Sequence, residues 1–488
     1  MALVFRRWAS SVPSKAHLHK PLPDKSFPAG YKLTGIHAGV KKKKDVLDLA
    51  VVLSTSPYPT SAAACFTRNA FKAAPVIVSD DVLTRNAGRA RALIVNSGCA
   101  NAITGKQGLE DAWAMVKHTT ALLPQNKNAR ETGTEHDALV MSTGVIGQNL
   151  PIANIIAGIR RASDSLGSDF AAWERAAQAF LTTDTFPKLR SRVFTINGVE
   201  YRLAGMDKGA GMIHPDMGPA SISFSPRQLH ATLLGCIMTD AAITPRSLQT
   251  ALTYAVDRSF NSISVDGDMS TNDTIIVLAN GAAAPSSDGR VHEIDEETDR
   301  DAYEVFKKEL TEFAADLAQL VVRDGEGATK FVAVNVKGAP NYKDAHAIAS
   351  KISTSALVKT ALYGEDAKYA FLINPALTIA KLWGRILAAT GSVPLSPSSS
   401  TTSLAAATPA VDPTKVSVTF IPSDGTTALP VLVNGEPEKV DEDRAKNILG
   451  LEDIEIVVDL GMGGEGEATY WTCDFSYEYV RINGDYRS

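Results

Sequence analysis

The sequence predicts an α/β protein built in layers, with two sheets lying between helices and both halves of the chain contributing to one core. Three observations carry this. Strand-like and helix-like segments are interspersed from Tyr31 to the end of the chain. The pattern continues on both sides of residue 232. No internal repeat divides the 488 residues into similar units, and a chain of that length holds either two to four average domains or one large intertwined unit.

Taken in order, YKLTGIHAGV and DVLDLAVVLS read as strands around a basic turn, Lys41–Lys44, expected to be solvated. ARALIVNSG is a buried strand ending in a turn. In GLEDAWAMVKHTTALL, Leu109, Trp113, Val116 and Leu123 recur at helical spacing. PQNKNARETGTEHD is a polar loop, and ALVMSTGVIG a strand running into a glycine turn. Pro151 opens a helix at a tolerated first-turn position, with Ile152, Ile155, Ile156 and Ile159 on one face. DFAAWERAAQAFL is a second helix. VFTINGVEYRLAG is a hairpin, because Asn197-Gly198 suits a type I′ turn.

Beyond residue 232 come a strand and a helix, with Thr244 as N-cap and Pro245 as first helical residue. TIIVLANG is a strand, Asp299–Val322 the longest helical pattern, and KFVAVNVKG the strand after it. Two further helical patterns cover Ala345–Leu362 and Leu377–Ala389. Thr390–Thr414 is rich in Ser, Pro, Thr and Ala and reads as a flexible surface insertion (390–414). GMGGEG at Gly461–Gly466 matches a dinucleotide fingerprint, but EATYWTCDFSYEYVRI after it alternates like a strand, so it reads as a glycine hairpin. The end is β-rich.

Composition removes several function classes. A net charge of −5 argues against binding driven by nucleic-acid phosphates. No uncharged apolar run approaches the roughly 18–20 residues of a membrane helix. The four cysteines, Cys65, Cys99, Cys236 and Cys473, are far apart, which favours reduced thiols over a disulfide framework or zinc site. The nine histidines show no ligand spacing, Lys208-Gly-Ala-Gly lacks P-loop spacing, and Asp266-Gly-Asp268 fails the later EF-hand positions, so no metal is expected. The first 25 residues carry Arg6, Arg7, Lys15 and Lys20 with no acid before Asp24, and read as a mitochondrial transit peptide (1–25) outside the fold.

The chemistry centres on Met206–Asp240, where Ala231-Thr232 precedes an apolar run. A threonine hydroxyl becomes a useful nucleophile when its own α-amine is freed to act as base, and that amine has a reference pKa of about 7.7–8.0. Alone, an Ala-Thr pair at this place is more often just the start of a strand. Its neighbours point further. KGAGMIHPDM, HATLLGCIMTDAAI, SFNSISVDGDMSTNDT, NSGCANA, MSTGVIG, TTDTFPK, DGEGATK and the tail YVRINGDYRS, in that family's order over about Gly30–Ser488, together resemble the ornithine acetyltransferase family of arginine biosynthesis (bifunctional glutamate N-acetyltransferase), fungal mitochondrial type.

The resemblance implies an αββα sandwich with N-terminal-nucleophile logic, self-cleaved at Ala231-Thr232 into interleaved segments, 26–231 and 232–488. It implies Thr232 as nucleophile, with Thr143 and Gly144 as the oxyanion hole, a role that backbone N–H groups beside a glycine are suited to. It makes Thr182, Lys208, Glu326, Asn483 and Ser488 substrate contacts, alongside Thr232. Lys208 suits a carboxylate, and Glu326 suits either holding an ammonium group or restraining protons near the nucleophile; Thr183 and Thr185 remain alternatives to Thr182. The implied reaction moves acetyl from N-acetylornithine to glutamate by ping-pong through acetyl-Thr232. No cofactor is implied, although acetyl-CoA is a possible co-substrate. The implied assembly has two copies of each segment, in the mitochondrial matrix. A departure from the compact family pattern is the extra stretch GPASISFSPRQLH before Ala231, read as a surface loop able to slow self-cleavage. Two rivals stand beside this reading: an N-terminal-threonine amidase or aminopeptidase, which passes the acyl group to water, and a non-catalytic binding protein.

Overall fold

The computed structural model describes residues 12–124, 136–220, 233–287, 289–364, 376–396 and 410–485. Ala231, Thr232, most of the GPASISFSPRQLH stretch, residues 397–409 and Ser488 lie outside them.

Two sheets face each other. One has four strands in the order Tyr31–Ile36, Leu49–Ser54, Ala92–Cys99, Ala138–Val145, the last pair parallel. The other has six, in the order Lys188–Ile196, Val199–Lys208, Leu234–Thr239, Thr274–Ala279, Ser61–Thr67, Met217–Pro219. Its strands come from both sides of residue 232, as expected. Period-two alternation divides this sheet between two cores. Ala62, Ala64, Met206, Cys236, Met238 and Ile276 join the core shared with the four-stranded sheet. Ala63, Cys65, Leu203, Ile237 and Ile275 face helices Pro245–Asp257 and Arg300–Arg323.

The four-stranded sheet carries helices on both faces. Gly158 of helix Ile152–Ala162 packs on Ile36 and Leu49, whereas Gly35, the next residue along, abuts the Arg175 carbonyl of helix Phe170–Phe180. A Cβ at Gly35 would lie 1.9 Å from that oxygen, so only glycine allows this helix to seat. Helix Phe170–Phe180 also touches Lys188–Ile196 and Val199–Lys208, and so wedges between the sheets at one edge. Farther in, Ala138–Val145 meets Leu234–Thr239 directly. The result is the layered αββα sandwich.

A third sheet adds to that expectation. Its seven strands run Ile263–Ser264, Gly466–Cys473, Phe331–Ala339, Asp453–Asp459, Ser417–Pro422, Leu429–Val433, Glu436–Pro437. With helices Tyr342–Ser353, Ala356–Gly364, Ala376–Gly391 and Glu442–Leu449 it forms a separate core.

Several local expectations need correction. The glycine run 461–466 is not a hairpin: Phe331–Ala339 lies between the strands it joins, parallel to one and antiparallel to the other. The strand-like YEYVRI is helix Tyr477–Gly484, because Ser476 caps it by accepting the Tyr479 N–H and Arg481 pairs with Glu478 one turn away. Ala345–Leu362 is two helices, parted at Thr354 and Ser355. Lys42, Lys43 and Lys44 are exposed as expected, but Lys41 turns inward: its ammonium donates to the carbonyls of Leu47 (2.8 Å) and Leu181 (2.7 Å). The Asn197-Gly198 turn does have positive φ at both residues, 51° and 80°, as type I′ requires. Thr390 and Leu395, at the start of the expected insertion, are buried. Lys15 is buried against Glu452, and Asp24 Oδ1 accepts the Phe170 N–H at 2.7 Å, so residues of the expected leader lie on the body.

Candidate active site

The site forms where parallel strands Ala92–Cys99 and Ala138–Val145 end beside the last residue of Val199–Lys208. Thr143 is fully buried, and Gly144 has φ +122°. A Cβ on Gly144 would come 2.4 Å from the Gly98 carbonyl carbon, so this turn demands glycine on both conformational and steric grounds. The NSGCANA motif supports it. Ser142 Oγ donates to Asn96 Oδ1 (2.7 Å), and Asn96 Nδ2 donates to the Cys99 carbonyl (2.7 Å).

Lys208 is fully buried and its Nζ donates to Thr143 Oγ1 at 3.2 Å. Burial pulls this ammonium below its usual lysine pKa, against the charges of Asp184, Glu326 and Asp273. Gly211 makes room for Glu326, whose Oε2 would be 2.4 Å from a Cβ there. The Glu326 N–H donates to the Ala210 carbonyl (2.7 Å), so the KGAG turn wraps the acid. Glu326 is 8% exposed, and its Oε2 accepts from Asn483 Nδ2 at 2.8 Å.

A buried ion network fixes this arrangement from below. Asp184 Oδ1 accepts from Lys188 Nζ (2.6 Å) and the Gly209 N–H (2.8 Å), and its Oδ2 accepts the Thr182 N–H (2.9 Å). Lys188 Nζ also donates to Asp324 Oδ2 at 2.6 Å. At Asp184 burial is outweighed by Lys188 and Lys208, which hold it well below the usual carboxylate range. At Asp324 burial wins and pushes the group up. Lys188 itself is raised, since Asp184 and Asp324 overcome its burial.

A cavity of about 860 Å³ opens at this place, lined by Gly98, Gly144, Gln148, Lys41, Thr182 and Thr183. Thr185 points elsewhere, its hydroxyl donating to Asp324. Lys41 is lowered to about 8 by burial, with Asp48 and Asp184 pulling upward.

The structure therefore brings together Thr143, Gly144, Thr182, Lys208, Glu326 and Asn483. Thr232, Ala231 and Ser488 fall outside the described residues, although Leu233, the residue after Thr232, is buried at the start of the strand. Sequence reasoning missed Lys41, Asp184, Lys188 and Asp324. Asp184 and Lys188 stand inside TTDTFPK, and Asp324 inside DGEGATK, as charged residues among small ones. That they meet across 140 positions leaves no local signal. No group of three or more metal-ligating side chains occurs among the described residues.

Fold and site together define a class: a layered α/β protein whose two sheets converge on a glycine turn, a buried lysine and a buried carboxylate. The chain belongs to the ArgJ family, whose model matches residues 32–488. It is 71% identical, over all of both chains, to the arginine biosynthesis bifunctional protein ArgJ, mitochondrial, of Laccaria bicolor. It is 53% identical to the protein of the same description from Cryptococcus neoformans, covering 98% of this chain and 94% of that one. A crystal structure of ornithine acetyltransferase from Mycobacterium tuberculosis, complexed with ornithine, is 34% identical over 40% of this chain and 95% of that chain, with a TM-score of 0.31.

Proposed function

We propose that the protein is a mitochondrial glutamate N-acetyltransferase of arginine biosynthesis, moving acetyl from N-acetylornithine to glutamate through Thr232. The observation that carries this reading is the Lys208–Thr143 bond beside Gly144, because it joins a carboxylate-binding cation to an oxyanion turn. Family membership supports the acetyl-transfer chemistry.

In the precursor, Thr232 Oγ attacks the Ala231 carbonyl, the amide nitrogen leaves as the amine, and water hydrolyses the resulting ester. The products are segments 1–231 and 232–488, apart from leader removal in the matrix. The new α-amine takes the hydroxyl proton as Oγ attacks the acetyl carbonyl of N-acetylornithine. Thr143 and Gly144 stabilise the oxyanion. Collapse expels ornithine, which carries the proton away on its amine. Glutamate then binds the same site, its amine takes the acetyl group, and Thr232 is restored. Lys208 holds a substrate carboxylate and Glu326, with Asn483, the ammonium end; Thr182 and Ser488 complete the contacts. Acetyl-CoA is a second acetyl donor, in keeping with relatives described as bifunctional. The assembly contains two copies of each segment.

Intact mass of wild type beside Thr232→Ala tests the nucleophile. Two fragments in wild type, the second starting at Thr232, with a whole variant, are expected; a wild type that stays whole and inactive sinks the mechanism. Acetyl transfer with and without glutamate separates the enzyme from an amidase, which would release acetate equally in both.

A further inference from the structure

Two adjacent residues in the MSTNDT stretch have no role in the mechanism above, yet they grip both sides of the site. Asn272 Nδ2 donates to the carbonyls of Ser142 (2.5 Å) and Ala100 (2.8 Å). Ser142 is the residue before Thr143, so this side chain holds the strand that presents the oxyanion turn. Asp273 turns the other way. Its Oδ1 accepts the N–H of Leu233 at 2.7 Å, and its Oδ2 the N–H of Ser270 at 3.2 Å. The Leu233 N–H is half of the peptide bond that follows Thr232. The Leu233 carbonyl in turn accepts the N–H of Thr274 at 3.0 Å, so the residue is held at both ends of its backbone.

Asn272 and Asp273 are fully buried. The segment they occupy leads into Thr274–Ala279, an interior strand flanked by Leu234–Thr239 and Ser61–Thr67. Its own footing is fixed too: the Thr67 N–H donates to the Asp273 carbonyl (2.8 Å) and Thr67 Oγ1 to the Ser270 carbonyl (2.7 Å). One buried dipeptide thus reaches the four-stranded sheet with an amide and the backbone just before Leu234–Thr239 with a carboxylate.

We propose that Asn272 and Asp273 form a positioning bracket that sets the distance between Thr232 and the Thr143–Gly144 turn. The bracket touches no substrate; it acts through Ser142 and Leu233. It rests on Thr232 being the nucleophile and Thr143–Gly144 the oxyanion hole. Reacting atoms must approach to about 3–3.5 Å, and a misplacement of about 1 Å costs about a hundredfold in rate. Leu233 and Ser142 belong to segments of different sheets, and a side-chain tie between them supports the geometry that such a site needs.

The test uses the full chain with Asn272→Ala, Asp273→Ala, Asp273→Asn and the Asn272→Ala/Asp273→Ala pair. Self-cleavage is followed by intact mass, and kcat and KM are measured per cleaved molecule. Each alanine variant is expected to lower kcat by about thirtyfold or more, with both KM values within about threefold of wild type. The double variant is expected within about threefold of the worse single one, because losing either arm frees the spacing. Asp273→Asn, which keeps an acceptor for Leu233, is expected to recover at least about tenfold over Asp273→Ala. Singles within threefold of wild type, losses that multiply, or losses confined to KM overturn the bracket. If Asp273→Ala does not fold, Asn272→Ala and Asp273→Asn are judged by the same thresholds. A wild type that neither cleaves nor transfers acetyl sinks the proposed function instead, so the two failures are distinct.

Discussion

Replacing Lys188 by methionine keeps the apolar stem and removes the cation that contacts both Asp184 and Asp324. Both carboxylates are pinned by other bonds, Asp184 by the N–H groups of Thr182 and Gly209 and Asp324 by Thr185, so neither can swing out to water. Lys188 is fully buried, with both oxygens at 2.6 Å. Removing one partner of such a buried pair costs about 3–5 kcal/mol, because the other charge is left uncompensated. The sign with pH follows from Asp184. Its pKa is depressed in the folded protein, so its stabilising contribution is present above the ordinary carboxylate pKa of about 3.9 and is lost as pH falls through the folded value. Without Lys188 both carboxylates rise and protonate more readily. The deficit is therefore greatest near pH 8 and shrinks towards pH 5. Urea unfolding followed by tryptophan fluorescence at both pH values measures it. A loss below about 1 kcal/mol at pH 8, or an equal loss at both pH values, would refute the reasoning.

Asp207 offers the opposite case: both carboxyl oxygens are buried without a hydrogen-bond partner, and burial pushes the group well above the carboxylate range. Its raised pKa favours folding at low pH and works against it as pH rises, so Asp207→Asn is expected to raise the melting temperature at pH 8 more than at pH 5, read by scanning calorimetry. Gly144→Ala forces a Cβ against Gly98 and is expected to lower kcat by about 10²-fold or more, measured in the acetyl-transfer assay; near-wild-type kcat would remove Gly144 from the oxyanion turn. A chain lacking residues 1–25 loses the Lys15–Glu452 pair and the Asp24 bond to helix Phe170–Phe180, whereas one lacking residues 1–11 keeps both; the shorter chain is expected to melt lower, and equal melting would show that these contacts contribute nothing.

Elements with strong local grammar were legible. Pro245 after Thr244, Asn197-Gly198, and the long apolar period of Asp299–Val322 each specify their structure within a few residues. The site residues were legible through the resemblance of whole motifs and not through local composition; the physical reason one of them is glycine, the Gly98 backbone against Gly144, shows only in the fold. Strand order was not legible. Nothing in GMGGEG says that a third strand will lie between its neighbours, since that strand is more than 120 residues earlier. Lys188 and Asp324 likewise carry no local signal of the buried pair they form, since 136 positions separate them. The helix Tyr477–Gly484 was misread because alternation in EATYWTC runs straight into YEYVRI, and only the cap at Ser476 separates them.

The topology also accounts for how a chain end could stand in the middle of a sheet. Strands before residue 231 flank strands after it: Val199–Lys208 pairs with Leu234–Thr239, and Ser61–Thr67 with Thr274–Ala279. The core between the two sheets likewise draws Ala64 and Met206 from one side and Cys236 and Ile276 from the other. Breaking the Ala231–Thr232 bond after folding removes none of these pairings, so the proposed cut leaves the two segments interleaved. In the proposed mechanism the cut follows folding and frees an α-amine just before Leu234–Thr239, the strand that meets Ala138–Val145. The residues holding Leu233 and Ser142 lead into Thr274–Ala279, a strand paired with Ser61–Thr67 from before residue 231 and with Leu234–Thr239 from after it. Their footing therefore does not depend on the bond between residues 231 and 232.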